Sequence, residues 1–215
     1  MNNRRPRLQA TLLAIVAGMA DAVGYITMGG IFTANMTGNT VLAGISLAEG
    51  RYDLAGKRFA PLLAFFLGAM LARLLLRLSR RPPVPLLIEA ALIAAADFLP
   101  VGKEEALLIV ALAMGLQASA LTHFGGAPAS TVVVTSTLAR VADATLDRLW
   151  PLDNILPPVA MPRLLVFTWL GYLGGALAGG LLAQAVAYPL LVPAALLLFV
   201  VFATVHIGGT RPSLP

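Results

Sequence analysis

The chain has 215 residues, of which 59% are hydrophobic and only 12% charged, and its mean hydropathy is +0.86. A soluble domain carries about 25% charged residues, so this chain lacks the polar surface to cover itself in water and reads as an all-α polytopic membrane protein. Its formal charge of +5 comes without any basic run interleaved with aromatics, which leaves no case for nucleic acid, and the absence of cysteine removes disulfides, thiolate chemistry and cysteine metal sites.

Apolar runs fall at 8–28, 31–48, 58–79, 84–100, 105–124, 128–144, 162–187 and 189–207, with the charges gathered in the gaps between them. A hydrocarbon core of about 30 Å takes about 20 helical residues to cross. Most of the runs supply that length; 31–48 and 128–144 do not. The first run follows Arg4-Arg5-Pro6-Arg7 and is too long for a signal h-region, so it reads as an uncleaved first helix. It carries Gly18, Asp21 and Ala22. The chain then passes Gly29-Gly30 into the short second run, with Thr33, Asn35, Thr37, Gly38, Asn39 and Thr40. Hydroxyls, amides and a carboxylate are expensive in lipid and face a cavity, a partner helix or a substrate. For Asp21 the choice lies between a proton or ligand group and a carboxyl bonded to a neighbouring helix.

The third run holds Ala64, Gly68 and Ala72 at four-residue spacing and ends in the basic cluster Arg77, Arg80 and Arg81. In the fourth run Glu89 and Asp97 stand alone; Glu89 is expected to pair with Arg73 or Arg77, and Asp97 to lie at the interface. The fifth run repeats the features of the first: Gly115, Gln117, Ser119 and His123, then Gly125-Gly126, then Thr131, Thr135, Ser136 and Thr137 in the short sixth run. Gly171, Gly175 and Gly179 form a close-packing stripe in the seventh run, suited to joining the halves, although a homodimer is also open to a chain of 22.4 kDa.

The recurrence defines two internal repeats, 8–104 and 105–208. Gly18 and Gly115 are 97 residues apart and Thr37 and Thr135 are 98. Leu67 and Leu173 are 106 apart, and Val84 and Val192 are 108. The order holds and the offset grows only by loop insertion. If the two short runs dip in and return, the chain has six spanning helices plus two re-entrant half-helices, and the repeats are inverted. The alternative is eight crossings with parallel repeats. Arg4–Arg7 and Arg77–Arg81 both belong on the cytoplasmic side, which requires an even number of crossings between them and favours six.

Ala17-Gly18-Met19-Ala20-Asp21-Ala22, Gly29-Gly30-Ile31-Phe32 and Asn35-Met36-Thr37-Gly38-Asn39-Thr40 together resemble the signature of the YoaK-like family of bacterial membrane proteins (domain of unknown function 1275). Gly115-Leu116-Gln117 and the threonine-rich stretch after it resemble that family's second signature, with Ala118 in place of its asparagine and Ser136 in place of its glycine. The resemblance implies a multi-pass inner-membrane protein and supplies no substrate.

No His-Glu-x-x-His, nucleophile elbow, phosphate loop or dinucleotide fingerprint occurs, so the expectation is no enzyme, no cofactor and no metal. Duplicated halves with short polar segments in matching positions point to a small transporter or permease. Its partners would be the bilayer and a small solute or ion, with the N-terminus in the cytoplasm. Asp21 would be the titrating group. Thr33, Asn35, Thr37, Gly38 and Asn39 would line the site, and Gln117, Thr131, Thr135, Ser136 and Thr137 would close it from the other half. A membrane scaffold is the competing reading.

Overall fold

A computed structural model describes residues 4–79, 81, 83–120, 123–124, 127–128, 134–150 and 162–207. Among them are eight helices: α1 (Arg4–Thr27), α2 (Met36–Ala48), α3 (Tyr52–Ser79), α4 (Pro83–Phe98), α5 (Lys103–Ala120), α6 (Val134–Leu149), α7 (Pro162–Ala185) and α8 (Leu191–Ile207). The one extended pairing among the described residues is a two-residue bridge of His123–Phe124 with Ala127–Pro128. Each apolar run holds a helix, with shifted ends. α3 starts at Tyr52, before the apolar run, and continues through a buried Pro61. α2 starts only at Met36, because residues 31–35 are extended or bent.

By length and hydropathy α1, α3 and α7 can cross a membrane, and α8 is a shorter apolar helix. Their relative directions follow from contacts. Methyl groups at Gly171, Gly175 and Gly179 of α7 would meet the backbone of Thr11, Ile15 and Met19 of α1, so the two helices run side by side in the same direction. At Gly175 and Gly179 the collision would be with α1 carbonyls, a contact tight enough that only glycine fits. The same closeness joins α3 and α5, where Gly68 abuts Leu112 and Gly115 abuts Phe65. The glycine stripes are therefore spent on joining the two halves.

α1 ends where α3 and α5 begin. A cavity of about 480 Å³ is lined there by Met28 and Gly29 from the end of α1, Leu54 and Lys57 from α3, and Lys103 and Leu107 from α5. Lys57 and Glu104 form an ion pair across it at 2.5 Å. Asp97 at the end of α4 accepts a hydrogen bond from the Leu190 backbone N–H at the start of α8 (2.7 Å), so those two helices pack antiparallel. α1 and α7 thus run against α3 and α5. The chain leaves α1 and enters α3 at the same end of the bundle, and the excursion 31–48 returns to the side it left.

The core is continuous. Leu13, Val16, Ala17 and Ala20 of α1 meet Leu86, Ala90 and Ile93 of α4, Val110 and Met114 of α5, and Leu197 and Val200 of α8. Outward faces of α3 and α7, including Phe66, Met70, Leu173 and Leu177, are exposed and apolar, as lipid-facing surfaces are.

Gly115→Val would place branched carbons against the Phe65 carbonyl and Ala69 amide, with no flexible side chain to yield. The expected destabilisation is about 1–3 kcal/mol or more, read as a lower melting temperature in detergent. Gly44→Val, where nothing lies within 4 Å of an added carbon, is the matched control.

Candidate functional site

The polar centre of the first half is a capped break in the chain. Gly29 and Gly30 take φ values of +90° and +72°, a region open to glycine at little cost. They turn the backbone so that residues 31–35 come back alongside α1. That stretch is neither helix nor sheet, so its N–H groups need acceptors from elsewhere. Asp21 supplies them. Its Oδ1 accepts from the backbone N–H groups of Thr33 (2.8 Å), Ala34 (2.5 Å) and Asn35 (3.2 Å) and from the Thr33 hydroxyl (3.3 Å). Its Oδ2 accepts from the Tyr172 hydroxyl of α7. One carboxylate thereby ties α1, the returning strand and α7 together, at the positive end of the α2 dipole. It is 3% exposed.

The remaining polar residues complete the same cap. Asn35 is the N-cap of α2, its Oδ1 accepting from the Gly38 N–H at 3.0 Å. Asn39 is fully buried and clamps Phe32 from both sides: Oδ1 accepts from the Phe32 N–H (3.0 Å) and Nδ2 donates to the Phe32 carbonyl (2.7 Å). An added carbon on Gly38 would sit 3.0 Å from the Phe32 ring, so glycine there lets the turn close. Thr33 is buried, with its methyl filling the space left by Gly24. Thr37 points outward, exposed, and Thr40 bonds its own helix at the Met36 carbonyl (2.8 Å).

Asp21, Thr33, Asn35, Gly38 and Asn39 are brought together, as the motif suggested. The contributions from the second half are not. α2 packs on α3 and α6 on α7, and among the described residues α2 and α6 make no contact. Thr135 and Ser136 are exposed on α6, Thr137 is buried, and Thr131 lies outside the described residues. Gln117 is buried and donates from Nε2 to the Leu13 carbonyl at 3.0 Å, bridging α5 to α1 away from the Asp21 cap. α6 also differs in kind from α2, carrying Arg140, Asp143, Asp147 and Arg148 where α2 has no charge.

Ala118 corresponds to Asp21 by the offset of 97 residues, and Phe65 answers Tyr172 because Gly115 abuts it as Gly18 abuts Tyr172. The counterpart of the cap, formed by α5 and α3, thus lacks both members of the capping pair. Ser119 does not replace them; it lines an apolar groove with Phe66, Met70, Arg73 and Arg77. The side chain of His123 lies outside the described residues.

Three interactions were invisible in the sequence. Tyr172, 151 residues from Asp21, had only its place within the glycine stripe to mark it. Arg58 donates to the Leu42 carbonyl (2.9 Å) and the Ser46 hydroxyl (2.7 Å), pinning α2 antiparallel to α3. Glu89 makes no pair with Arg73 or Arg77: it is fully buried, and both its oxygens lack a hydrogen-bond partner among the described residues. The two arginines are exposed on α3, where their long side chains reach the surface rather than the core.

Asp21→Ala removes the acceptor of three backbone N–H groups and should cost about 3 kcal/mol or more. Asp21→Asn keeps an acceptor and loses the charge, for an expected cost of about 1–3 kcal/mol. Tyr172→Phe should lower stability by a similar amount through the same carboxylate. A double-mutant cycle on melting in detergent checks the coupling; additive losses would mean that the two side chains act apart.

A family model described as "Protein of unknown function (DUF1275)" matches residues 9–203. The chain is 29% identical over 153 residues to the "UPF0700 transmembrane protein YoaK" of Bacillus subtilis (strain 168), covering 65% of this chain and 67% of that protein. No solved structure is significantly similar to it. The matched region runs from the start of α1 into α8 and contains the whole Asp21 cap, so this membrane protein belongs to the DUF1275 family.

Proposed function

We propose that this protein is a small secondary transporter of the bacterial inner membrane, built from two inverted repeats with six spanning helices and two half-helices. The observation that carries the reading is the pattern of contacts between the halves. Exchanging α1–α4 for α5–α8 maps the helix pairings onto one another, with the sole exception, among the described residues, of α3 against α4. α1 on α7 answers α5 on α3, α2 on α3 answers α6 on α7, and α4 on α5 answers α8 on α1. The close approaches correspond residue by residue: Gly18 meets Tyr172 and Ala176, and Gly115 meets Phe65 and Ala69.

Corresponding helices α1 and α5 run in opposite directions, as do α3 and α7, which is what an inverted repeat requires. Broken helices at matching positions of two inverted halves are the arrangement in which a rocking motion about a central site exposes it to either side. The solute is a small polar molecule or an ion. Asp21 serves in this reading as the fixed anchor of the first half-helix.

The basic clusters support a cytoplasmic N-terminus. Arg5 and Arg7 at the start of α1, Arg77 at the end of α3 and Arg163 at the start of α7 share one end of the bundle. Arg51, Lys57, Arg58 and Lys103 occupy the other. A membrane scaffold is the second reading, favoured by one observation: the Asp21 cap is saturated with internal hydrogen bonds and needs no ligand to explain it.

The chain has no cysteine, so single cysteines report topology directly. Arg5→Cys and Ser79→Cys should label from the cytoplasm, and Glu49→Cys and Val101→Cys from outside; labelling of positions 5 and 79 from opposite sides would restore eight crossings. Transport itself is tested by thermal stability of the purified protein against a broad panel of metabolites and ions. A transported solute at about 100 times its Kd should stabilise by about 2.7 kcal/mol and should move into proteoliposomes. No shift and no flux across the panel would leave the scaffold reading.

A further inference from the structure

Glu89 sits where a hydrocarbon side chain would suffice. It lies on the inward stripe of α4 with Leu86, Ala90 and Ile93, fully buried. The repeat offset of 108 residues places Leu197 of α8 at the corresponding position, also fully buried, between Ala194 and Val201. The bond from Leu190 to Asp97 sets the antiparallel register of α4 and α8. Counting eight residues from each end of that bond brings Glu89 level with Leu198, one residue from Leu197. The carboxyl thus lies in the seam between the halves, close to their pseudo-two-fold axis.

Among the described residues no charge answers it. On α5, Lys103, Glu104 and Glu105 are exposed in the first turn, at the end where α4 finishes. On α3, Asp53, Lys57, Arg73 and Arg77 are exposed, and Arg58 is engaged with α2. α8 has no acid, lysine or arginine, and the side chain of its His206 lies outside the described residues. On α4 itself Asp97 is taken by Leu190, and on α1 Asp21 is taken by the returning strand and Tyr172. A buried carboxylate without a partner costs many kcal/mol, whereas the neutral acid costs far less.

We propose that Glu89 is a proton-binding site at the seam of the two halves: its carboxyl holds a proton in the closed arrangement seen here and releases it to water when the seam opens. The O–H bond breaks, the carboxylate keeps the electron pair, and the proton leaves as hydronium on the side then open. The seam closes again only once that carboxylate is neutralised from the side then open, by a proton or by a cationic solute, so that the two can exchange across the membrane. The coupling rests on the transporter reading, and it gives that transporter its driving ion.

Infrared difference spectra of the protein in lipid, recorded across a pH series, test the proton site without any solute. Wild type should show the carbonyl stretch of a protonated carboxyl that fades as pH rises, and Glu89→Gln should lack that band. Glu89→Gln and Glu89→Leu should both fold and melt at or above the wild-type temperature, because each removes an ionisable group that has no partner. A missing Glu89-dependent band, or one unmoved by pH, overturns the proposal, and so does lower stability in both variants. Where a solute is found to move, its flux should lose pH dependence in Glu89→Gln. Flux that keeps the wild-type pH profile in that variant refutes the coupling and leaves the transporter reading standing. Absence of any flux, with the band titrating, removes the transporter reading and the coupling while the proton site remains.

Discussion

A chain that breaks its helix and turns back alongside it leaves peptide N–H groups without helical acceptors, and the fold of the first half depends on where they find others. Asp21 gathers the N–H groups of Thr33, Ala34 and Asn35 on one oxygen and the Tyr172 hydroxyl on the other. A neutral acceptor bonds such donors more weakly than a carboxylate does. The cost of burying the group is offset by five directed donors, the Thr33 hydroxyl included, and by the positive end of a helix dipole. With the return fixed at that depth, α2 is short, and Arg58 can hold its far end against α3.

Association of the halves uses a different force. Apolar side chains gain little by meeting each other when the alternative is lipid, so helices in membranes associate through close backbone approach. Glycines at 18, 68, 115, 171, 175 and 179 provide it, each facing backbone of the partner helix. The first helix of each half lies against the third of the other, so neither half is a separate body. The two halves are stitched across the seam on which α4 and α8 meet.

Two buried carboxyls in one small protein have opposite surroundings. Asp21 is saturated, and Glu89 has no hydrogen-bond partner among the described residues. A saturated carboxylate is held in one place, which suits an anchor. A bare one is sensitive to any opening of its surroundings, which suits exchange with solvent. The acid of the motif is thus held by directed donors, whereas the acid in the otherwise apolar fourth helix has none among the described residues.

Composition and hydropathy were enough to define an all-helical membrane protein and its helical segments, because each of these depends on local sequence alone. The duplicated Gly18/Gly115 and Thr37/Thr135 spacing also stood in the sequence, as did the gathering of Asp21, Thr33, Asn35 and Asn39, since they lie within one turn-back of the chain. The partners of these groups did not. Tyr172, the pairing of α1 with α7, the separation of α2 from α6 and the isolation of Glu89 are set by contacts between segments more than ninety residues apart in the chain. Spacing along a helix says which face a residue occupies, whereas which helix covers that face is decided only when all of them pack.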